Sequence, residues 1–229
     1  MRGDPFRTAL NETLDVLWKF VHRWRSFRVF LEWNMIHWIL GGRNLSDANL
    51  LETFSFEYSQ NCMGTANHHQ CVPIIGQIPS LKSLAWTELV PSTARLLMEH
   101  VCLEKLDIVE LQIDLQSLDA ALDVVRRCTS STSITLRHYW PINNFHVRPP
   151  HEPLHSTLPI VLPQLQTLTL QLVDSDSLGV VQLLNCPCLE SLSVNTYLDA
   201  DEPSDVLDLE KEILNHAMTN LPALKELLF

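Results

Sequence analysis

A six-residue pattern constrains the fold of this chain more than any other feature: a leucine, two residues, an apolar residue, one residue and a second apolar residue. It reads LETFSF from Leu51, LKSLAW from Leu81, LEKLDI from Leu103, LQTLTL from Leu165, LESLSV from Leu189 and LKELLF from Leu224. Two weaker copies fill the gaps, WRSFRV from Trp24 and STSITL from Ser131, the latter with serine in the leading position. With the middle apolar residue as marker, the copies stand at Phe27, Phe54, Leu84, Leu106, Ile134, Leu168, Leu192 and Leu227, at intervals of 27, 30, 22, 28, 34, 24 and 35 residues. The tripeptides PSL, VCL, PQL, PCL and PAL lead into the motif, a shared context that chance does not readily supply.

The motif reads as a short strand. Its two last apolar residues, at i and i+2, project to one face, and the leading leucine packs in the turn before it. Proline is tolerated ahead of the strand because the ladder has not yet begun. The intervening residues return the chain to the same side, so successive strands are expected to be parallel. The returns look helical: LQSLDAALDVVRR places Leu115, Leu118, Leu122 and Val125 on one face behind Asp114 as N-cap. PSTARLLMEHV, DSLGVVQLLN and DLEKEILNHAM behave alike, the last with Leu209, Ile213 and Ala217 at intervals of four. A unit of one strand and one helix cannot bury its apolar side alone. The expectation is therefore an irregular α/β solenoid over residues 24–229, about eight repeats stacked on one core, with parallel strands on the concave side and helices on the convex side. Residues 1–23 are expected to form an N-terminal amphipathic capping helix, with Leu10, Leu14, Leu17, Val21 and Trp24 as its stripe; the same spacing suits a helix that binds a partner. Residues 137–159, RHYWPINNFHVRPPHEPLHSTLP, are too long and too rich in proline for a simple return and read as a loop insertion.

At 229 residues and 46% hydrophobic content the chain can bury a substantial core. Its most apolar stretch, SFRVFLEWNMIHWIL, is interrupted by Arg28, Glu32, Asn34 and His37, so no membrane span is expected. The first residues lack the continuous apolar core of a secretion signal, which leads to an expected cytoplasmic or nuclear location, with the six cysteines reduced. A formal charge of -11, from 16 basic against 27 acidic residues, disfavours nucleic acid as a partner. Residues 199–212, DADEPSDVLDLEKE, hold seven acidic residues and one lysine and read as a solvated loop running into a helix start.

The tempting chemistry is thin. NCMGTANHHQC, residues 61–71, places Cys62, His68, His69 and Cys71 in a return connection. Its C-x5-H-H-x-C spacing departs from the paired blocks that reach tetrahedral zinc geometry, so a plain connector is expected and no metal. Cys186 and Cys188 flank Pro187 just before a strand and read as turn and core residues. Six glycines, with one Gly-Gly pair at Gly41-Gly42, cannot spell a dinucleotide fingerprint or a phosphate loop. The acid-base pairs His151-Glu152 and Asp174 with Asp176 are ordinary, and no G-x-S-x-G elbow occurs. No enzyme and no cofactor are expected. In a parallel stack, the strand residues alternating with the buried ones line the open side: Ser55 and Glu57, Ala85 and Thr87, Asp107 and Val109, Thr135 and Arg137, Thr169 and Gln171, Ser193 and Asn195. Of these, Glu57, Thr87, Asp107, Arg137, Gln171 and Asn195 are the candidate contacts for a protein partner.

HRWRSFRVF at residues 22–30, followed by LLETFSF, PSLKSLAW, PQLQTLTL, CPCLESLSV and LPALKELLF, resembles the leucine-rich-repeat portion of F-box proteins abundant in mushroom-forming fungi, over roughly residues 14–229. The resemblance implies a non-enzymatic module that presents substrates to a ubiquitin ligase. In that family a compact F-box upstream of the repeats binds the ligase adaptor; some 21 residues precede HRWRS here, so the adaptor is a partner only if an F-box lies upstream. Common leucine-rich repeats carry Asn or Cys three positions beyond the strand's last leucine. Leu89, Leu111, Val173 and Tyr197 stand there instead, so less uniform turns and irregular curvature are expected.

Overall fold

In the computed structural model, residues 5–31, 43–58, 72–113, 117–138, 154, 157–172, 174–195 and 203–229 are described. Eight strands form one open, fully parallel sheet: β1 (Ser26–Leu31), β2 (Thr53–Tyr58), β3 (Ser83–Leu89), β4 (Ile108–Ile113), β5 (Ser133–His138), β7 (Thr167–Gln171), β9 (Ser191–Val194) and β10 (Glu226–Leu228), side by side in chain order. Each strand is four to seven residues long except β10, with three. Two further strands, β6 (Ile160–Val161) and β8 (Leu184–Asn185), pair apart from it. The helices are α1 (Pro5–Trp18), the single turn α2 (Val72–Ile75), α3 (Pro91–His100), α4 (Leu118–Arg126), α5 (Asp174–Leu183) and α6 (Pro203–Asn220). This is a mixed α/β architecture whose sheet does not close into a barrel.

The register explains why the sequence pattern recurs. Phe27, Phe54, Leu84, Val109, Ile134, Leu168, Leu192 and Leu227 stand next to one another across the sheet. Two residues on, Val29, Phe56, Trp86, Leu111, Leu136, Leu170 and Val194 form a second row, also buried. Three residues before the marker lie Trp24, Leu51, Leu81, Leu106, Ser131, Leu165, Leu189 and Leu224. Three residues earlier again lie Val21, Ala48, Ile78, Leu103, Cys128, Leu162, Cys186 and Leu221, every one buried. Ser131 is tolerated among the leucines because its hydroxyl donates to the Leu106 carbonyl at 2.7 Å, so this buried hydroxyl is satisfied.

The marker in the fourth unit is Val109 and not Leu106. The reading LEKLDI is slipped by three residues, and the true motif is LDIVEL from Leu106, which changes the uneven intervals of 22 and 28 into 25 and 25. Leu106 is buried, but in the row that leads into the strand. The proline context also has a different cause. A tight turn joins the earliest row to the leading one, as in Leu165 N–H to Leu162 O at 3.3 Å, Leu189 N–H to Cys186 O at 3.1 Å and Leu224 N–H to Leu221 O at 3.1 Å. Pro163, Pro187 and Pro222 sit at the second position of those turns, where the fixed φ of proline is an advantage.

The strand starts are uniform, whereas Val173 and Tyr197, two of the positions behind the expectation of irregular turns after the strands, lie outside the described residues. At all seven junctions two successive N–H groups donate to one carbonyl of the preceding unit, from Glu52 and Thr53 to Arg25 O at 2.9 and 3.1 Å through to Lys225 and Glu226 to Glu190 O at 2.8 and 3.0 Å. Main chain thus ties neighbouring turns together without an Asn ladder.

The helices supply the other side of the core. Ala94 and Leu97 of α3, Ala121, Leu122 and Val125 of α4, Val180 and Val181 of α5, and Ile213 and Ala217 of α6 join the strand rows in one buried cluster. Helix α4 begins after Ser117 rather than at Asp114, which lies outside the described residues with Leu115. Pro91 opens α3 at its first turn, where a missing N–H has no consequence. Helix α1 closes the first unit through aromatic packing: Trp18 lies edge-on to Trp24 with centroids 5.1 Å apart, Trp24 stacks on Phe27 at 5.3 Å, and Phe27 stacks on Phe54 at 5.6 Å. Arg43 lies 5.6 Å above the Trp18 ring and bonds Asp15 at 2.6 Å, fastening the helix to the chain ahead of β2.

Candidate protein-binding face

Strand residues alternating with the core rows project from the opposite face of the sheet. One row runs Ser26, Thr53, Ser83, Ile108, Ser133, Thr167, Ser191 and Glu226, and the next runs Arg28, Ser55, Ala85, Glu110, Thr135, Thr169, Ser193 and Leu228. Short hydroxyl side chains make up six of the eight in the first row and four of the eight in the second, where Ser55 is buried. Beyond them, at the carboxyl ends of the strands, Phe30 stands beside Glu57, and Gln112 beside Arg137 beside Gln171. Asn195 follows β9, where its N–H bonds Leu170 O at 2.8 Å.

Arg137, Gln171 and Asn195 therefore fall on neighbouring strands at one level, with Gln112 as the member that the slipped frame missed. Glu57 lies at the same level toward the N-terminal edge and accepts a hydrogen bond from Ser55 at 3.2 Å. Thr87 is displaced. The register between β3 and β4 shifts between Trp86 and Leu89, so Thr87 and Glu88 together oppose Gln112, and Thr87 is buried rather than open. Such a bulge arises when one strand carries an extra residue against its partner. Asp107 and Val109 are corrections. Val109 is core, and Asp107 precedes β4 in a different line of side chains at the strand starts: Arg25, Glu52, Lys82, Asp107, Thr132, Gln166, Glu190 and Lys225. Missed on the open face are Arg28, Glu110 and Ile108, the last 38% exposed.

The line at the strand starts pairs opposite partners between units. Lys82 Nζ meets Glu52 at 2.7 Å, Thr132 donates to Asp107 at 2.6 Å, and Lys225 Nζ meets Glu190 at 2.7 Å. The hydrogen bond and charge of Lys82 hold the Glu52 carboxyl below its ordinary value, with a smaller contribution from Arg25 and partial opposition from burial. These contacts are solvent-exposed and specify register more than they add stability.

The remaining sequence candidates divide sharply. Cys62, His68, His69 and Cys71, as well as His151 and Glu152, lie outside the described residues. Among the described residues no group of three or more His, Cys, Asp or Glu converges as metal ligands, and no helix is long and apolar enough to cross a membrane. Cys186 is core, with its thiol pushed up to about 11 by burial, whereas Cys188 is exposed. Asp176, on α5, is buried with its carboxylate 3.7 Å from His138 Nε2. His138 ends β5 beside Ile113, so this polar pair links strand to helix inside an otherwise apolar level. Parts of the 137–159 insertion are anchored: Leu154 packs at Gly179 of α5, and Leu158 O accepts from Arg126 at 2.9 Å.

No known family profile matches the sequence, and none of the curated proteins does either.

Proposed function

We propose that this chain is a non-enzymatic protein-binding module, an irregular leucine-rich-repeat solenoid whose open sheet face docks a protein. By the resemblance of its repeats, it would serve as the substrate-recognition part of an F-box ubiquitin-ligase receptor. The observation that carries the reading is the row Gln112, Arg137, Gln171 and Asn195, four long polar side chains held at one level by parallel strands. An extended array of amides and one guanidinium suits recognition of a peptide or protein surface by hydrogen bonds. A partner with acidic side chains or free carbonyls would match Arg137. Cytoplasm or nucleus is the compartment that fits this role.

The test uses a photo-crosslinking residue at Gln171 and, as a control, at exposed Arg95 on α3. A discrete adduct from Gln171, absent from Arg95 and lost in Arg137→Glu, supports the reading. Equal labelling from both positions refutes it. Co-purification of the ligase adaptor with the product of the full gene, and its loss when an upstream F-box is deleted, would separate a ligase receptor from a free-standing repeat scaffold.

A further inference from the structure

The open face carries exposed charges of both signs: Arg28 on β1, Glu57 on β2, Glu110 on β4 and Arg137 on β5. They fall at two levels. Arg28 and Glu110 belong to the row that includes Ala85 and Thr135, whereas Glu57 and Arg137 lie two residues further along their strands. Within each level the opposite charges stand three strands apart, β1 to β4 and β2 to β5. At the usual strand spacing that is a span of about 14 Å. The order of signs is reversed between the levels: positive then negative in the lower one, negative then positive in the upper one.

Arg28, Glu110 and Arg137 make no hydrogen bond or ion pair among the described residues, and Glu57 there engages the Ser55 hydroxyl alone. At the strand starts of the same sheet, opposite charges on neighbouring strands do pair: Lys82 with Glu52 and Lys225 with Glu190, each at 2.7 Å. Arg28 and Glu57 also stand on neighbouring strands, as do Glu110 and Arg137, but each pair is offset by two residues. Such diagonals measure about 7–8 Å, within reach of long side chains. All four charges are instead presented to solvent, with the short, partly exposed side chains of Ala85 and Thr135 between them.

We propose, resting on the open face being the docking surface, that its partner is an extended peptide segment with the charge order acid, base, two further residues, base, acid. An extended chain rises about 3.4 Å per residue and turns successive side chains to opposite sides. Laid across the strands between the two levels, it therefore offers alternate residues to each level. The 14 Å between the charges of one level corresponds to about four residues, an even number, so both partners of a level fall on the same side. Arg28 meets the first acid, Glu57 the first base, Glu110 the second base and Arg137 the second acid. The order reads the same from either end, so the charge match does not depend on chain direction. Charges of both signs disfavour a polyanion, and they exclude wrong partners by like-charge contact. Gln112 and Gln171, beside Arg137, offer amides to the open N–H and C=O groups of an extended main chain, which a helix would already have bonded internally.

Selection of random dodecapeptides displayed on phage against the immobilised 229-residue chain tests this. Enriched peptides are expected to carry the order above. Arg137→Gln is expected to relax the requirement for one acid and Glu57→Gln for one base. Each should weaken a peptide selected on the wild type about three- to five-fold in fluorescence anisotropy, as suits an exposed charge pair. Arg28→Gln and Glu110→Gln give the same readout at the lower level should circular dichroism show either variant misfolded. The inference is overturned by enriched peptides that lack this order, by affinities that none of the four substitutions moves, or by acid and base about nine residues apart, the spacing a helix would need. If such peptides still crosslink through position 171, the open face remains the docking surface and the charge order alone falls. If no peptide is enriched, or none crosslinks there, both fall.

Discussion

Leu165 and Leu224 occupy the same position in the repeating pattern, each two residues after a proline at the second turn position, yet Leu165 is fully buried and Leu224 is not. Leu168 and Leu227 differ in the same way. The sequence around each pair is nearly interchangeable, so burial in this fold does not belong to the unit. It comes from having a neighbour on both sides. The N-terminal end compensates with aromatic bulk, Trp18 of α1 standing edge-on to Trp24 and Trp24 stacking on Phe27, and the C-terminal end makes no comparable arrangement among the described residues.

That contrast sets the largest expected effect. Leu168→Ala, in the interior, should cost about 2–5 kcal/mol by loss of transfer energy and creation of a cavity. Leu227→Ala should cost about 1 kcal/mol, because solvent already reaches that site. Urea denaturation measures both, and equal losses would mean that the units do not share a core.

Two glycines offer a second interior comparison. A Cβ at Gly76 would clash with the backbone oxygen of His100, where α2 and α3 belong to adjacent units, so Gly76→Ala should cost about 1–3 kcal/mol. A Cβ at Gly179 meets the side chain of Leu154, whose flexible end Cδ2 is nearest at 3.0 Å. The helix-propensity gain of about 1 kcal/mol should therefore leave Gly179→Ala near neutral. Thermal melts of the two variants would expose a misplaced α3 by reversing that order.

A smaller effect is expected in the opposite direction. Among the described residues the buried hydroxyl of Thr93 has no hydrogen-bond partner. Thr93→Val, which keeps the shape, should raise stability by about 1 kcal/mol in the same denaturation assay.

The cysteines report the same geometry without changing it. Cys128 and Cys186 occupy the earliest core row, and burial pushes their thiols up to about 12 and about 11. Cys102 and Cys188 are exposed. Native alkylation mapped by mass spectrometry should label the exposed pair and spare the buried pair until the chain unfolds, since the thiolate is the reactive form.

Much of this was legible in the residues. Leucine and its i+3 and i+5 apolar partners mark strands because a parallel sheet covered by helices on one face needs that alternation, and seven of the eight markers stand in the register the pattern gives. The fourth failed for a specific reason. Leu103, Leu106 and Val109 are spaced by threes, so two frames fit, and helical or turn spacing cannot be told from the leading part of the motif. The signal that separates them lay in VCL, which lacks the proline of its counterparts, and not in the intervals, which vary from 22 to 35 along the chain. On the open face, Arg137, Gln171 and Asn195 followed from simple alternation. Thr87 did not, because a bulge depends on how the partner strand is tethered, which no local stretch encodes. The paired dipeptides Ile160–Val161 and Leu184–Asn185 are likewise too short to carry a period.

The central claim is that Val109, and not Ile108, faces the shared core between Leu84 and Ile134. The slipped frame puts Ile108 inside and Val109 on the open face, so one pair of variants separates the two readings. In equilibrium denaturation, Val109→Asp should lose about 3–5 kcal/mol or fail to fold, as an unpaired buried charge does, while Ile108→Asp should stay within about 1 kcal/mol of wild type. A tolerated Val109→Asp together with a crippled Ile108→Asp would contradict the account.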